Sequence, residues 1–310
     1  AYFGAIPHWL YFTPLRRNGP AWSKVVIWSS GIATFSAILG VVVAVWMYSP
    51  SKRYRYAGAP TSIPYSGWKR WHTIIGLIVG VGAVTWAFSG LLSMEPFPER
   101  DDREAMRSQQ TIAQALRGRA PLETFAAKDP RAALMQLSGL GVKDLELTAF
   151  AGEPAYFATI APGNTRIVPL DGGPIRELNS QGIVDIVTEV TRPLGGSTVD
   201  VISQYDRYYL DRHREAPLPV VRVQMNDPGG SRYYIDPKSA RIVGGYSSSG
   251  FLNRWLYHGL HSMNFPWLYN YRPAWDIVVI GFMLGGTALS ATSLILAWQV
   301  LGRKLRLMHG

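Results

Sequence analysis

The chain has 310 residues, a net charge of +10 and no cysteine. Without cysteine, structural disulfides, thiolate-held iron–sulfur clusters and the C-x-x-C-H attachment of c-type haem are excluded, so any haem would be b-type. Residues 95–273 hold 20 basic and 20 acidic side chains; the basic excess lies outside them, beside long apolar runs, which argues against a nucleic-acid partner.

Residues 1–23 are aromatic and Pro-rich, with Tyr2, Phe3, His8, Trp9, Tyr11, Phe12 and Trp22. They read as an outer interfacial segment, because Trp and Tyr favour the headgroup zone. The start at Ala1, with no signal-peptide pattern, is what a fragment or a processed product would show. Val25–Tyr48, Thr73–Met94 and Ile277–Val300 contain no Asp, Glu, Lys, Arg or His. Each exceeds the roughly 20 residues that cross a bilayer core, where a helix satisfies its own backbone. Transmembrane helices are therefore predicted at 24–48, 73–94 and 274–301. The loop at 49–72 carries Lys52, Arg53, Arg55, Lys69 and Arg70 and no acid, and the tail at 302–310 carries Arg303, Lys304 and Arg306. By the positive-inside rule both are cytoplasmic, and residues 1–23 and 95–273 lie outside. Pro50, Pro60 and Pro64 make the loop read as irregular.

The second span opens at Trp71-His72. Gly76, Gly80, Ala83 and Ala87 follow on one face. Such a small-residue stripe serves helix packing or forms a flat surface for a porphyrin beside its ligand.

Residues 95–249 read as an extracytoplasmic α+β domain of two similar units. The first has a helix near Asp129–Leu137 and strands at Leu145–Phe150, Ala155–Ile160 and Arg166–Pro169. The second has a helix near Gly182–Arg192 and strands at Asp206–Arg212, Val220–Met225 and Arg232–Ile235. Turns fall at Asp171-Gly-Gly173, Asp227-Pro-Gly-Gly230 and Asp236-Pro-Lys238. Residues 250–273 form an interfacial, His-bearing segment, with an amphipathic helix at Gly250–Ser262 and breaks at Pro266 and Pro273.

Of six histidines, His8, His72, His258 and His261 sit at membrane boundaries, the first, third and fourth outside and His72 inside. His258 and His261 share a helical face with Arg254. Axial haem ligands approach from opposite faces of the ring, so His258 and His261 cannot both serve one iron. His8 is the natural opposite ligand. Arg16, Arg17 or Arg254 would pair with propionates. The plain alternative for each is an interfacial anchor. His213, in a charged run, reads as solvated or domain-packing, and His309 in the tail is not a fixed ligand. No hydrolase motif, zinc spacing, Walker A motif or dinucleotide fingerprint occurs, and no span carries the ionisable residue usual in proton-coupled transport.

Arg70-Trp-His-Thr-Ile-Ile-Gly76, followed by Phe88-Ser-Gly-Leu-Leu92, resembles the H-x-x-x-G…S-G signature of PepSY-associated transmembrane proteins. Leu256-Tyr-His-Gly-Leu-His261 is similar to the His-bearing stretch ahead of that family's last helix. Gly4–Phe12 looks like the start of its larger members, and Arg232–Val243 like the end of a PepSY unit. The resemblance implies two PepSY-like units in a bacterial inner-membrane protein, main domain periplasmic. It also implies, as in some members, haem b and reduction of ferric siderophores. By position His72, His258 and His261 are the matched haem-ligand candidates. Family members carry an earlier His-bearing span, so an inner haem at His72 lacks its second ligand here.

The leading expectation is a membrane oxidoreductase with one or two haems b, taking electrons from quinol or a cytoplasmic donor and passing them to a ferric chelate; the resemblance implies a membrane ferric (siderophore) reductase. The alternatives are a non-enzymatic, membrane-anchored PepSY binding or regulatory module and an accessory transporter subunit.

Overall fold

The computed structural model describes residues 5–94, 102–211 and 213–308; Tyr2, Phe3 and His309 lie outside them. The chain divides into two compact units, one of residues 1–98 and 252–310 and the other of residues 99–251.

The interfacial segment folds as two short helices, α1 (Ala5–Trp9) and α2 (Thr13–Arg16), before α3 (Gly19–Met47). The helix α3 starts earlier than the apolar run because Asn18 caps it, accepting from the Ala21 amide at 3.1 Å, with Pro20 in the first turn. Trp22 Nε1 donates to the Trp9 carbonyl at 2.9 Å, and the Arg16 guanidinium lies 4.3 Å from the Trp22 ring. These contacts hold α1 against the start of α3.

The loop expected to be irregular instead forms a hairpin, β1 (Tyr54–Tyr56) and β2 (Ala59–Thr61). Ala57 and Gly58 both take positive φ, 48° and 83°, as a two-residue primed turn requires. Arg70 fastens the hairpin, donating to Thr61 Oγ1 at 3.0 Å and lying 4.6 Å over the Tyr56 ring. The helix α4 (Gly67–Leu92) begins six residues before the expected span, so His72 sits within its second turn rather than at its start.

In the second unit α5 (Arg103–Arg117) was not anticipated, nor was a 3₁₀ turn at Leu122–Ala127. The short helix α6 (Pro130–Gln136) matches the expected first helix. The strands β3 (Asp144–Phe150), β4 (Glu153–Ala161), β5 (Asn164–Pro169) and β6 (Arg176–Glu177) form one antiparallel meander. The helix α7 (Ser180–Thr191) precedes a second meander of β7 (Ser197–Ile202), β8 (Val220–Met225), β9 (Arg232–Asp236) and β10 (Arg241–Tyr246). The first four-stranded meander thus follows α5 and α6, and the second follows α7.

Strand alternation builds the cores. Ala155, Phe157 and Ile167 point to one face, with Val221, Val223, Met225, Tyr233 and Ile235 of the second sheet and Ile112, Leu116, Ile183 and Val187 of α5 and α7. The neighbours Tyr156, Ala158 and Val168 point to the opposite face, against Ala133 and Leu137 of α6. Each fully buried side chain of this size contributes about 1.5–3 kcal/mol.

The expected strand at Asp206–Arg212 does not form among its described residues. Asp206 Oδ1 accepts the amides of Tyr208 and Tyr209 at 2.8 and 2.7 Å, and this local bonding competes with a ladder. Asp206 also accepts from Tyr234 Oη at 2.9 Å and Arg222 Nη1 at 3.1 Å. The exposed His213 lies in this irregular stretch.

The chain leaves the second unit through α8 (Ser248–Asn253). The single amphipathic helix expected at Gly250–Ser262 is interrupted by a π-helical turn, Arg254–Gly259, before α9 (Leu260–Ser262). Arg254, 2% exposed, donates to the Asn264 carbonyl at 2.7 Å, and the Asn264 amide bonds the His258 carbonyl at 3.3 Å. After α10 (Pro266–Tyr269), α11 runs from Ala274 to Met308. It outlasts its apolar run because Arg303, Lys304 and Arg306 suit a helix C-terminus.

Three helices, α3, α4 and α11, are long and apolar enough to cross a membrane. The helix α4 packs against both others. A Cβ on Gly80 would lie 2.8 Å from Val41 Cγ2 of α3, and one on Gly285 would lie 2.5 Å from Val79 Cγ1 of α4. Glycine is what permits these close approaches. Trp28, Trp46 and Trp298 are over 70% exposed, as suits faces turned to lipid.

Candidate functional site

Two of the expected histidines carry the same local device at opposite ends of α4. Near its C-terminal end, Ser89 is fully buried, and its hydroxyl lies 3.1 Å from the Trp86 carbonyl and 3.0 Å from His261 Nδ1. The hydroxyl proton goes to the carbonyl, so the oxygen accepts Nδ1–H. That fixes the His261 tautomer and leaves the lone pair on Nε2. Near the other end, Thr292 of α11 gives its proton to the Ala288 or Leu289 carbonyl, each at 2.9 Å. Its oxygen accepts from His72 Nδ1 at 2.9 Å. Nε2 of His72 therefore also carries the lone pair.

His261 lies within a cluster of rings. Tyr257 stacks on it at 5.2 Å and 25°, and the His8 ring lies 5.8 Å away, tilted by 49°. His8 comes from α1, which the Trp22–Trp9 bond holds in place. His258, three residues earlier and inside the π-helical turn, meets Tyr257 edge-on at 5.1 Å. Burial, and then the charges of His8 and His258, hold the His261 imidazole below its ordinary value. Partial burial and then the Arg254 guanidinium do the same for His258. Both favour the neutral, ligating form.

His8 and His261 are thus brought together, with their rings 5.8 Å apart. His258 stands beside the pair. Arg254 is buried against Trp255, 5.0 Å from its ring, and Arg16 is engaged with Trp22. Gly76 and Gly80 line a cleft with His72, and His72 is the single histidine in its wall.

The donor set at His8 and His261 can be tested against haem. A metal–imidazole bond is about 2 Å and a ring nitrogen lies about 1 Å from its centroid, so one ion between two imidazoles sets the centroids about 6 Å apart. The 5.8 Å separation of the His8 and His261 rings is of this size. Among the described residues no group of three or more His, Asp or Glu could hold a metal. Two imidazoles alone leave a bare ion under-coordinated, whereas a macrocycle brings its own four nitrogens.

Sequence reading named Ser89 only within the S-G signature and did not single out Thr292, and it gave neither a histidine partner. Their signal was an isolated hydroxyl inside an apolar span, close in space to a histidine. No family model, curated protein or solved structure matches the chain. The PepSY resemblance accordingly rests on the segments quoted above.

Proposed function

We propose that this is a haem b oxidoreductase of a bacterial inner membrane that passes electrons to a periplasmic acceptor, a ferric siderophore. The observation that carries the reading is the His8–His261 pair, 5.8 Å apart, with the His261 tautomer set by the buried Ser89. When bound, haem b supplies reversible one-electron chemistry at the iron. The chain's own groups hold and tune it. His261 offers a neutral nitrogen that Ser89 orients, and the His8 ring stands 5.8 Å from it. The acid-free basic loop 49–72 and tail support a cytoplasmic position for the His72 end and a periplasmic one for the His261 end. The ferric siderophore, as substrate, follows from the family resemblance.

The test is a dithionite-reduced minus oxidised visible spectrum of the detergent-purified protein, with haem counted by pyridine haemochrome. A b-type spectrum is expected, lost in His261→Ala and in His8→Ala. A colourless protein after expression with ample haem would refute the reading and favour a membrane-anchored binding module.

A further inference from the structure

The His72 end of the bundle holds a cleft of about 450 Å³, within the range of small-molecule sites. Ala37, Val41 and Ala44 of α3 form one wall and Leu289 and Leu296 of α11 another, with Gly76 and Gly80 as the floor. Polar groups are confined to Tyr65, Lys69, His72 and Thr73. His72 belongs to this wall, and with its Nδ1–H given to Thr292 Oγ1 its lone pair is on Nε2.

We infer that this cleft binds the head group of a membrane hydroquinone, whose hydroxyl donates to His72 Nε2. The inference rests on the redox reading above and supplies its electron donor. Three features select the occupant. A neutral imidazole acceptor wants a donor, which an acyl chain lacks. Gly76, whose Cβ position meets only Leu289 at 3.8 Å, leaves room for a flat ring. Walls from two membrane-crossing helices accept a long apolar tail. A quinone carbonyl cannot donate, so the reduced form is held about 2- to 12-fold more tightly, the worth of one neutral hydrogen bond. Chemically, each hydroquinone that becomes quinone gives up two electrons and two protons and reduces two ferric centres to ferrous. One proton leaves along the O–H···Nε2 bond and the other enters the solvent.

The experiment uses the full chain in lipid nanodiscs and a decyl-substituted dimethoxy-methyl-benzohydroquinone under anaerobic conditions. Equilibrium dialysis reads binding, and the haem spectrum reads reduction. Saturable binding to wild type is expected, at least tenfold weaker in His72→Ala and in Gly76→Val. Gly76→Val narrows the cleft at a position whose Cβ meets only Leu289, at an ordinary 3.8 Å, and its thermal melt is compared with that of wild type. In both variants the haem count and dithionite reduction should match wild type, while reduction by the hydroquinone falls at least tenfold. Unchanged binding in both variants, or binding that never saturates, would overturn the site. Loss of haem in His72→Ala with Gly76→Val unchanged would overturn it too, and make His72 a haem ligand. A protein without haem that still binds the hydroquinone through His72 would keep the site and refute the redox reading.

Discussion

Replacing Ser89 by Ala removes one oxygen and isolates its role. The side chain is fully buried, and its hydroxyl is the acceptor for His261 Nδ1–H at 3.0 Å. Without it, a half-buried donor loses its partner, at a cost of about 1–3 kcal/mol. At 1.4 kcal/mol per factor of ten, a group bound through Nε2 should be held about 5- to 140-fold more weakly. This range overlaps the 10–100-fold expected when the partner of a ligating histidine is lost. The assay is transfer of haem to apomyoglobin, followed spectroscopically on purified wild type, Ser89→Ala and Ser89→Thr. Ser93→Ala is the control, since Ser93 Oγ donates only to the Gly90 carbonyl, at 2.6 Å. Faster loss in Ser89→Ala, with Ser89→Thr near wild type, is expected. Equal retention in Ser89→Ala and Ser93→Ala would refute the claim that Ser89 orients His261.

Gly285→Ala places a methyl 2.5 Å from the stiff, β-branched Val79. It should cost about 1–3 kcal/mol in a detergent melt, whereas Gly281→Ala, with open space around it, should not. Asp206→Ala removes the acceptor of two amides, Tyr234 and Arg222, and should destabilise the second unit by about 3–5 kcal/mol in urea. Burial alone would raise the Asp206 value, but the Tyr208 and Tyr209 amides, Tyr234 and Arg222 bring it below 3.8. The unfolded chain then takes up that proton first, so this stability is present above pH 3.8 and is lost as pH falls further. For His261 the folded value is likewise below the ordinary 6.5. Its contribution should be full above pH 6.5 and shrink on acidification, a slope that thermal melts of His261→Gln should flatten.

The spans were legible because lipid tolerates no charge in their middle, and three uncharged runs say so directly. Their ends were not, because helices continue into Lys69, Arg70 and Arg303 once the basic heads reach water. The helix α5 was missed although Ala105, Ser108, Ile112 and Leu116 recur at helical spacing. Two of these four are small, so the apolar signal was thin. The tyrosine-rich run at Asp206 imitated strand alternation, and only the Asp206 turn bonds show why it is no strand. Sequence placed His8 and His261 on one side of the membrane. Their approach to 5.8 Å depends on the Trp22–Trp9 bond and the π-turn, which no local pattern reports.

His72 and Ser89 belong to one unbroken helix, 17 residues apart, which sets them about 25 Å apart along its axis. The spacing of the two ends is therefore inherited from a covalent ruler, not from an adjustable interface. Tilting α4 carries both partners together and alters neither their separation nor their relative bearing. A single residue inserted between Gly76 and Trp86 would turn one end against the other by about 100° and shift it by about 1.5 Å. A substitution along this segment leaves that spacing intact, whereas a change of length unmakes one of the two histidine contacts.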